Sequence, residues 1–274
     1  MAIRVVPNAA RPRVRHAARV CARVAAGAAA AGLLALSLSA CSLLTTDSGG
    51  SPASSASPAD AASQGSAAGV PTAPDPKVLA GLPARMEADG TTITVGDPAA
   101  PKTVHIYEDP RCPVCQAFEK AAGPQLAALA ADGRIKLQYT LASFLDEKLG
   151  GEGSRRAGNA LRASVDAGKG AFATYHETLY AHQPDESEDG FTDAYLLELA
   201  GGVDGLRGAA FDQAVGKGAH KDFVTASEDA FIKSGATGTP YVKIDGEAVP
   251  QEDLQKLFDP ASFAALLRQA GIGG

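Results

Sequence analysis

Of the four cysteines in the 274 residues, two stand three apart, as Cys112-Pro113-Val114-Cys115. Thiol–disulfide exchange needs an accessible thiolate to attack and a second thiol close enough to resolve the mixed disulfide. A pair at this spacing meets both needs if it opens a helix. The first cysteine then sits at the exposed N-terminus, where unpaired N–H groups and the helix dipole favour negative charge. The second lies one turn in, shielded but within bonding reach. Cys112 is therefore expected to be the exposed nucleophile and Cys115 the resolving thiol. In such settings a thiol pKa falls to about 3.5–7.5. Two blander readings compete. Zinc wants four ligands, and there is no second Cys-x-x-Cys, while the five His are scattered singly. An inert structural disulfide suits an oxidising compartment, but a strand-to-helix junction is an odd place for one.

The flanking sequence supplies that junction. Residues 102–108 alternate as a strand and run directly into Asp109-Pro110-Arg111-Cys112. After Cys115, Phe118, Ala122, Leu126 and Leu129 fall on one helical face, with a kink or break predicted at Gly123-Pro124. Residues 135–141 alternate again, which completes a β-α-β unit. An earlier strand at 91–95 is closed by Gly96-Asp97-Pro98. From about 154 to 234 the pattern is helical and shows no convincing strand, with helices predicted at 155–167, 171–182, 193–200, 206–215 and 221–233. Thr192 is the expected N-cap of the third. Then come a strand at 241–244, the turn Asp245-Gly246, a return strand at 247–249 and an amphipathic helix at about 260–270. His176 and His182 share a helical patch with Phe172, Tyr175 and Tyr180. That patch reads as core and solvated edge, and His105 as an ordinary strand residue. No metal site and no cofactor is expected.

This order of elements is that of a thioredoxin fold with a helical insertion, and the chain resembles the DsbA family of exported disulfide oxidoreductases in its actinobacterial-type form. The resemblance rests on Glu108-Asp109-Pro110-Arg111-Cys112-Pro113-Val114-Cys115, on Tyr175-His176-Glu177-Thr178-Leu179-Tyr180, and on Gly235-Ala236-Thr237-Gly238-Thr239-Pro240. It covers roughly residues 85–272. The expected fold class is α/β, with a helical insert at about 150–235 between the β-α-β half and the C-terminal hairpin-helix half. The resemblance implies a cis Thr239-Pro240 bond that faces the cysteines and offers its backbone to a substrate strand. The expected site is Cys112, Cys115, Thr239 and Pro240, with Pro113, Val114 and Glu108 as the residues that would tune it. The chain departs from the family twice. Many relatives carry a buried acid six residues before the first cysteine, where Ile106 stands here. Glu108 and Asp109 are nearby, either as substitutes or as exposed loop-edge charges. The strongest oxidants of the family have Pro-His between the cysteines. Val114 can neither hydrogen-bond nor carry charge, which predicts a less oxidising pair.

The N-terminal region speaks to location. Residues 1–40 hold six Arg and no acid, with an apolar stretch at 24–38, and read as a lipoprotein signal peptide. Leu38-Ser39-Ala40-Cys41 resembles a lipobox, which implies a diacylglyceryl thioether on Cys41 and a mature chain beginning there. Residues 41–76 are mostly Ser, Ala, Gly, Pro and Thr, too poor in apolar side chains to fold, with an r.m.s. reach of roughly 30–35 Å. The folded domain is expected over 77–274. The formal net charge is −6; the 25 basic residues less those of the leader leave 19 against 31 acids, a net of −12. So acidic a body argues against nucleic-acid binding. The expectation is a monomer on the extracytoplasmic face of the cell membrane, held by lipid on Cys41. Its partners would be exported proteins with thiols or disulfides. With no further cysteine in the folded part, an external partner must recycle the pair. An oxidase is favoured, with a reductase or isomerase as the nearest alternative. A Cu(I)-binding module is the other, although only Met1 and Met86 offer thioether support.

Overall fold

The computed structural model describes residues 73–273. The expectations for the signal peptide, for Cys41 and for most of the linker lie outside them. The elements in order are α1 (Pro76–Gly81), β1 (Ala84–Met86), β2 (Ile93–Val95), β3 (Lys102–Glu108), α2 (Pro113–Ala131) and β4 (Ile135–Leu141). Six helices or turns of helix follow before the next strand is reached or passed: α3 (Phe144–Leu149), α4 (Gly153–Val165), α5 (Ala171–Ala181), α6 (Asp193–Ala200), α7 (Ala209–Lys217) and α8 (Lys221–Lys233). The chain closes with β5 (Tyr241–Ile244), β6 (Glu247–Ala248), a 3-10 stretch (Gln251–Phe258) and α9 (Pro260–Gln269).

The strands form one sheet in the order β1-β2-β4-β3-β5-β6. Among the described residues only β3 and β4 run parallel; the other neighbours are antiparallel. β3 is thus an inner strand whose C-terminal end delivers the chain to Cys112. β5 lies antiparallel to it with Tyr107 opposite Tyr241. The residues after β3 and those before β5 therefore emerge at the same end of the sheet, which brings Thr239 and Pro240 to the cysteines.

Helix α2 crosses the sheet with Cys115, Phe118, Ala122, Leu126 and Leu129 buried, and Phe118 meets Phe263 of α9 edge-on at 6.0 Å between ring centres. The break predicted at Gly123-Pro124 does not occur, and the helix runs unbroken through Pro124. An interior proline costs about 3 kcal/mol, while each fully buried large side chain contributes about 1.5–3 kcal/mol. The continuous apolar face on both sides of Pro124 outweighs the missing bond. The insert packs α4 centrally among α5, α6, α7 and α8, and α5 lies against α2. Its buried residues join those of the sheet in one core.

Folded structure starts slightly earlier than expected. Asp75 caps α1 by accepting from Lys77 N at 2.8 Å, so the predicted boundary at 77 falls inside this helix. Among the described residues, no helix is long and apolar enough to cross a membrane.

Candidate active site

Cys112 is the N-cap of α2 and Pro113 its first residue, where the missing proline N–H would have no partner in any case. The turn into the helix is held from several sides. Cys112 N donates to Asp109 O at 2.9 Å, and Gln183 Nε2 donates to Pro110 O at 2.7 Å and to Cys112 O at 3.1 Å. Gln116 Nε2 reaches across to Tyr180 O at 2.8 Å. These bonds tie the cysteine loop to the C-terminal end of α5.

The two sulfurs are free thiols. Cys112 was expected to be exposed, but it is only 6% accessible, because it packs with Cys115, Leu145 and Tyr180. Its Sγ lies 3.5 Å from the carbonyl oxygen of Thr239, and the Thr239–Pro240 bond is cis. A hydrogen bond from the Cys115 thiol lowers the Cys112 pKa to about 6, against burial and with help from Thr239 and the backbone N–H groups of Cys115 and Val114. Cys115 is fully buried, and burial first, then its hydrogen bond and charge relation to Cys112 and the charge of Glu108, push its thiol well above the ordinary value. The outer sulfur is thus set up to be a thiolate and the inner one a thiol. Beside them Val114 stands 46% exposed, an apolar side chain in solvent.

The acids before the pair are not loop-edge charges. Glu108 is 0% exposed, and His176 Nε2 of α5 donates to its Oε1 at 2.6 Å. Burial disfavours charge on His176, but the charge and hydrogen bond of Glu108, with Glu119 and Glu177 beyond, lift its pKa to about 9. Burial raises Glu119, one helical turn beyond Cys115, to about 8. Asp109 accepts from Arg111 N at 3.0 Å, Ser154 Oγ at 2.6 Å and Leu145 N at 3.1 Å, while burial raises its pKa to about 7. Arg111 Nη1 donates to Asp146 Oδ1 at 3.0 Å and Gly150 O at 2.8 Å, and Nη2 to Glu186 O at 3.0 Å. The loop before Cys112 is therefore anchored in the insert by buried charges.

Cys112, Cys115, Thr239, Pro240 and Glu108 meet at the end of β3, with Pro113 and Val114 on the outer side. His105 is elsewhere, bonded to Thr140 Oγ1 at 2.9 Å, with burial lowering its pKa to about 4. His182 is exposed and caps its own helix turn. The residues not anticipated are His176, Glu119 and Gln183. Two carried a signal: His176 shares a helical face with Phe172 and Leu179, and Glu119 follows Cys115 by four, so both fall on buried faces.

A cysteine pair opening the helix after an inner strand, faced by a cis-proline from the antiparallel neighbour, defines a thioredoxin-fold redox protein. A family model described as thioredoxin matches residues 88–260. The chain belongs to this family. The reduced form of the disulfide bond oxidoreductase DsbG from Mycobacterium tuberculosis is similar with a TM-score of 0.53 at 25% identity, over 64% of this chain and 82% of that one. Disulfide bond formation protein D of Bacillus subtilis is 25% identical over 156 residues, which is 57% of this chain and 68% of that protein. Serine/threonine-protein kinase PknE of Mycobacterium tuberculosis is 27% identical over 184 residues, 64% of this chain but only 31% of the kinase. The chain thus spans about a third of that relative's length.

Proposed function

We propose that this protein exchanges disulfides with exported proteins through Cys112 and Cys115, and that it works as an oxidase. The observation that carries the reading is the asymmetry of the two sulfurs, one lowered to about 6 at a helix N-terminus and the other held as a buried thiol. In the resting disulfide form, a substrate thiolate attacks Cys112 Sγ and expels Cys115, which takes up a proton. A second substrate thiolate then attacks the sulfur joined to Cys112 and releases Cys112 as a thiolate. Two electrons move to the protein, and the substrate gains a disulfide. A leaving thiolate with a low pKa departs fast and favours the reduced protein, which is what an oxidase needs.

Thr239 and Pro240 complete the site by setting a backbone carbonyl beside Cys112, where an extended substrate chain can lie alongside. Exposed Val114 and partly buried Phe144 offer that chain apolar contact. Glu108 acts as a tuning group, since its charge is one of those that keep Cys115 a thiol. The arginine-rich leader, Cys41 and the linker support an extracytoplasmic, lipid-anchored location, with recycling by an external redox partner.

The test is a covalent trap. A Cys115→Ser variant, incubated with an unfolded protein whose thiols are activated as mixed disulfides with thionitrobenzoate, is expected to accumulate an adduct through Cys112 and to release thionitrobenzoate. A Cys112→Ser variant is expected to form none. Absence of any adduct through Cys112 would remove the exchange reading.

A further inference from the structure

Beneath the cysteines, three elements converge on a group of side chains whose arrangement suits a different ligand. Glu108 ends β3, Glu119 lies on α2 and His176 on α5, and one ligand atom of each lies within 4.8 Å of the others. All three residues are buried, and beyond the facing of the two carboxyl groups themselves Glu108 Oε2 and Glu119 Oε1 have no hydrogen-bond partner. Leaving a buried polar atom unpaired costs about 1–3 kcal/mol, and more where charge is involved. Two such oxygens beside one imidazole form a donor set that lacks its acceptor.

The surroundings leave room. A cavity of about 20 Å³ is lined by Glu119, His176 and Glu177 together with Tyr139 and Phe172. That is enough for one water-sized species. A recess of about 310 Å³ shares Glu119 and Glu177 with this cavity and adds Gln116 and Lys120, which gives a way in. On α2 the wall is Gly123. A methyl group there would stand 3.2 Å from Glu119 Oε2 and 3.9 Å from Glu177 Oε2, so both carboxyl groups converge on the one spot without a side chain.

We propose that Glu108, Glu119 and His176 bind one divalent transition-metal cation. Two carboxylates balance a divalent charge inside an apolar core, where an unbalanced ion would be strongly disfavoured. One nitrogen with several carboxylate oxygens suits Zn²⁺ or a similar first-row ion. Cu(I) prefers sulfur, and Ca²⁺ and Mg²⁺ prefer oxygen alone. Ligands at zinc distances stand roughly 3.4 Å apart in a tetrahedron. The 2.6 Å contact between His176 and Glu108 therefore opens, and the wider separations close. The site shares Glu108 with the surroundings of Cys115, but its binding test does not depend on disulfide exchange.

Calorimetric titration of Zn²⁺ into the purified protein tests it, with the Cys112–Cys115 disulfide formed and all other thiols alkylated. One equivalent is expected to bind, and Co²⁺ in its place is expected to show d–d absorption without thiolate charge transfer. Glu119→Gln is expected to weaken binding at least tenfold. Gly123→Ala, which leaves every ligand in place but crowds Glu119, is expected to weaken it as well and decides the matter if Glu119→Gln does not fold. No saturable binding, or binding unchanged in the variants, would overturn the proposal.

Discussion

The sulfur of Cys112 lies 3.5 Å from the carbonyl oxygen of Thr239, a residue 127 positions further along the chain. The sheet makes that meeting. With Tyr107 of β3 opposite Tyr241 of β5, the end of one strand and the approach to the other share an edge. The intervening helices pack as an insert and leave the register intact. The oxygen partly covers the thiol, and the backbone N–H groups of Val114 and Cys115 favour its thiolate.

That environment sets a pH dependence. The thiolate is the reactive form, and Cys112 loses its proton at about 6, below the ordinary thiol value. Its alkylation by iodoacetamide in the reduced protein is therefore expected to speed up with rising pH through about 6 and to level off by neutral pH. Cys115, pushed upward, stays unreactive over the same range. A Cys112 rate that rises only through the range of a free thiol, about 8.5, would contradict the assignment.

The anchor of the loop is a buried ion pair. Asp146 accepts from Arg111 Nη1 at 3.0 Å and also from Ser154 N and Arg155 N, each at 3.0 Å. Removing one partner of a buried pair strands the other and costs about 3–5 kcal/mol. Asp146→Ala is expected to lower stability by about that amount in urea unfolding. A loss below about 1 kcal/mol, the range of an exposed pair, would show that the network does not hold the loop.

Much of this architecture is legible from residue patterns, and the exceptions have physical causes. β3, β4 and β5 are long or regular enough for alternation to mark them, and α8 follows its apolar spacing. β1 has three residues, and α1 and α3 have six each, fewer than a periodic pattern needs to declare itself. The 3-10 stretch at Gln251–Phe258 has no simple period to read. At Pro124 the local rule gave way to core packing. Glu108 was readable in part: with Val104 and Ile106 it shares one face of β3, and those two are buried. Its partner His176, 68 residues away, was not, because only the docking of α5 on α2 brings them together. The cysteines themselves announced their chemistry by spacing, but the cover over Cys112 comes from residues far along the chain.

Gln183 illustrates a contact that no motif would reveal. Its amide donates to both Pro110 O and Cys112 O. Gln183→Leu removes two bonds of about 0.5–1.5 kcal/mol each from the loop that presents the thiol. The expected outcome is a stability loss of about 1–3 kcal/mol together with slower exchange. Unchanged exchange kinetics in the folded variant would show that Gln183 supports only the fold.

The dipeptide between the cysteines is a lever on the redox balance. Val114 is exposed at the start of α2 and adds neither charge nor a hydrogen bond. Val114→His supplies a donor beside Cys112 and is expected to lower its pKa further and make the disulfide more oxidising. One pKa unit is about 1.4 kcal/mol, or about 30 mV for a two-electron couple. Equilibration of both proteins with glutathione measures the difference, and a shift towards a more reducing potential would contradict the reading of Val114.

The reduction potential of Cys112–Cys115 itself tests the central claim most directly. Equilibrating the protein with glutathione buffers and trapping its free thiols is expected to give one reversible two-electron transition, at or above about −180 mV. A reversible transition near −270 mV, the reducing end of the range for such pairs, would contradict the oxidase role, and no reversible transition at all would contradict disulfide exchange by this pair.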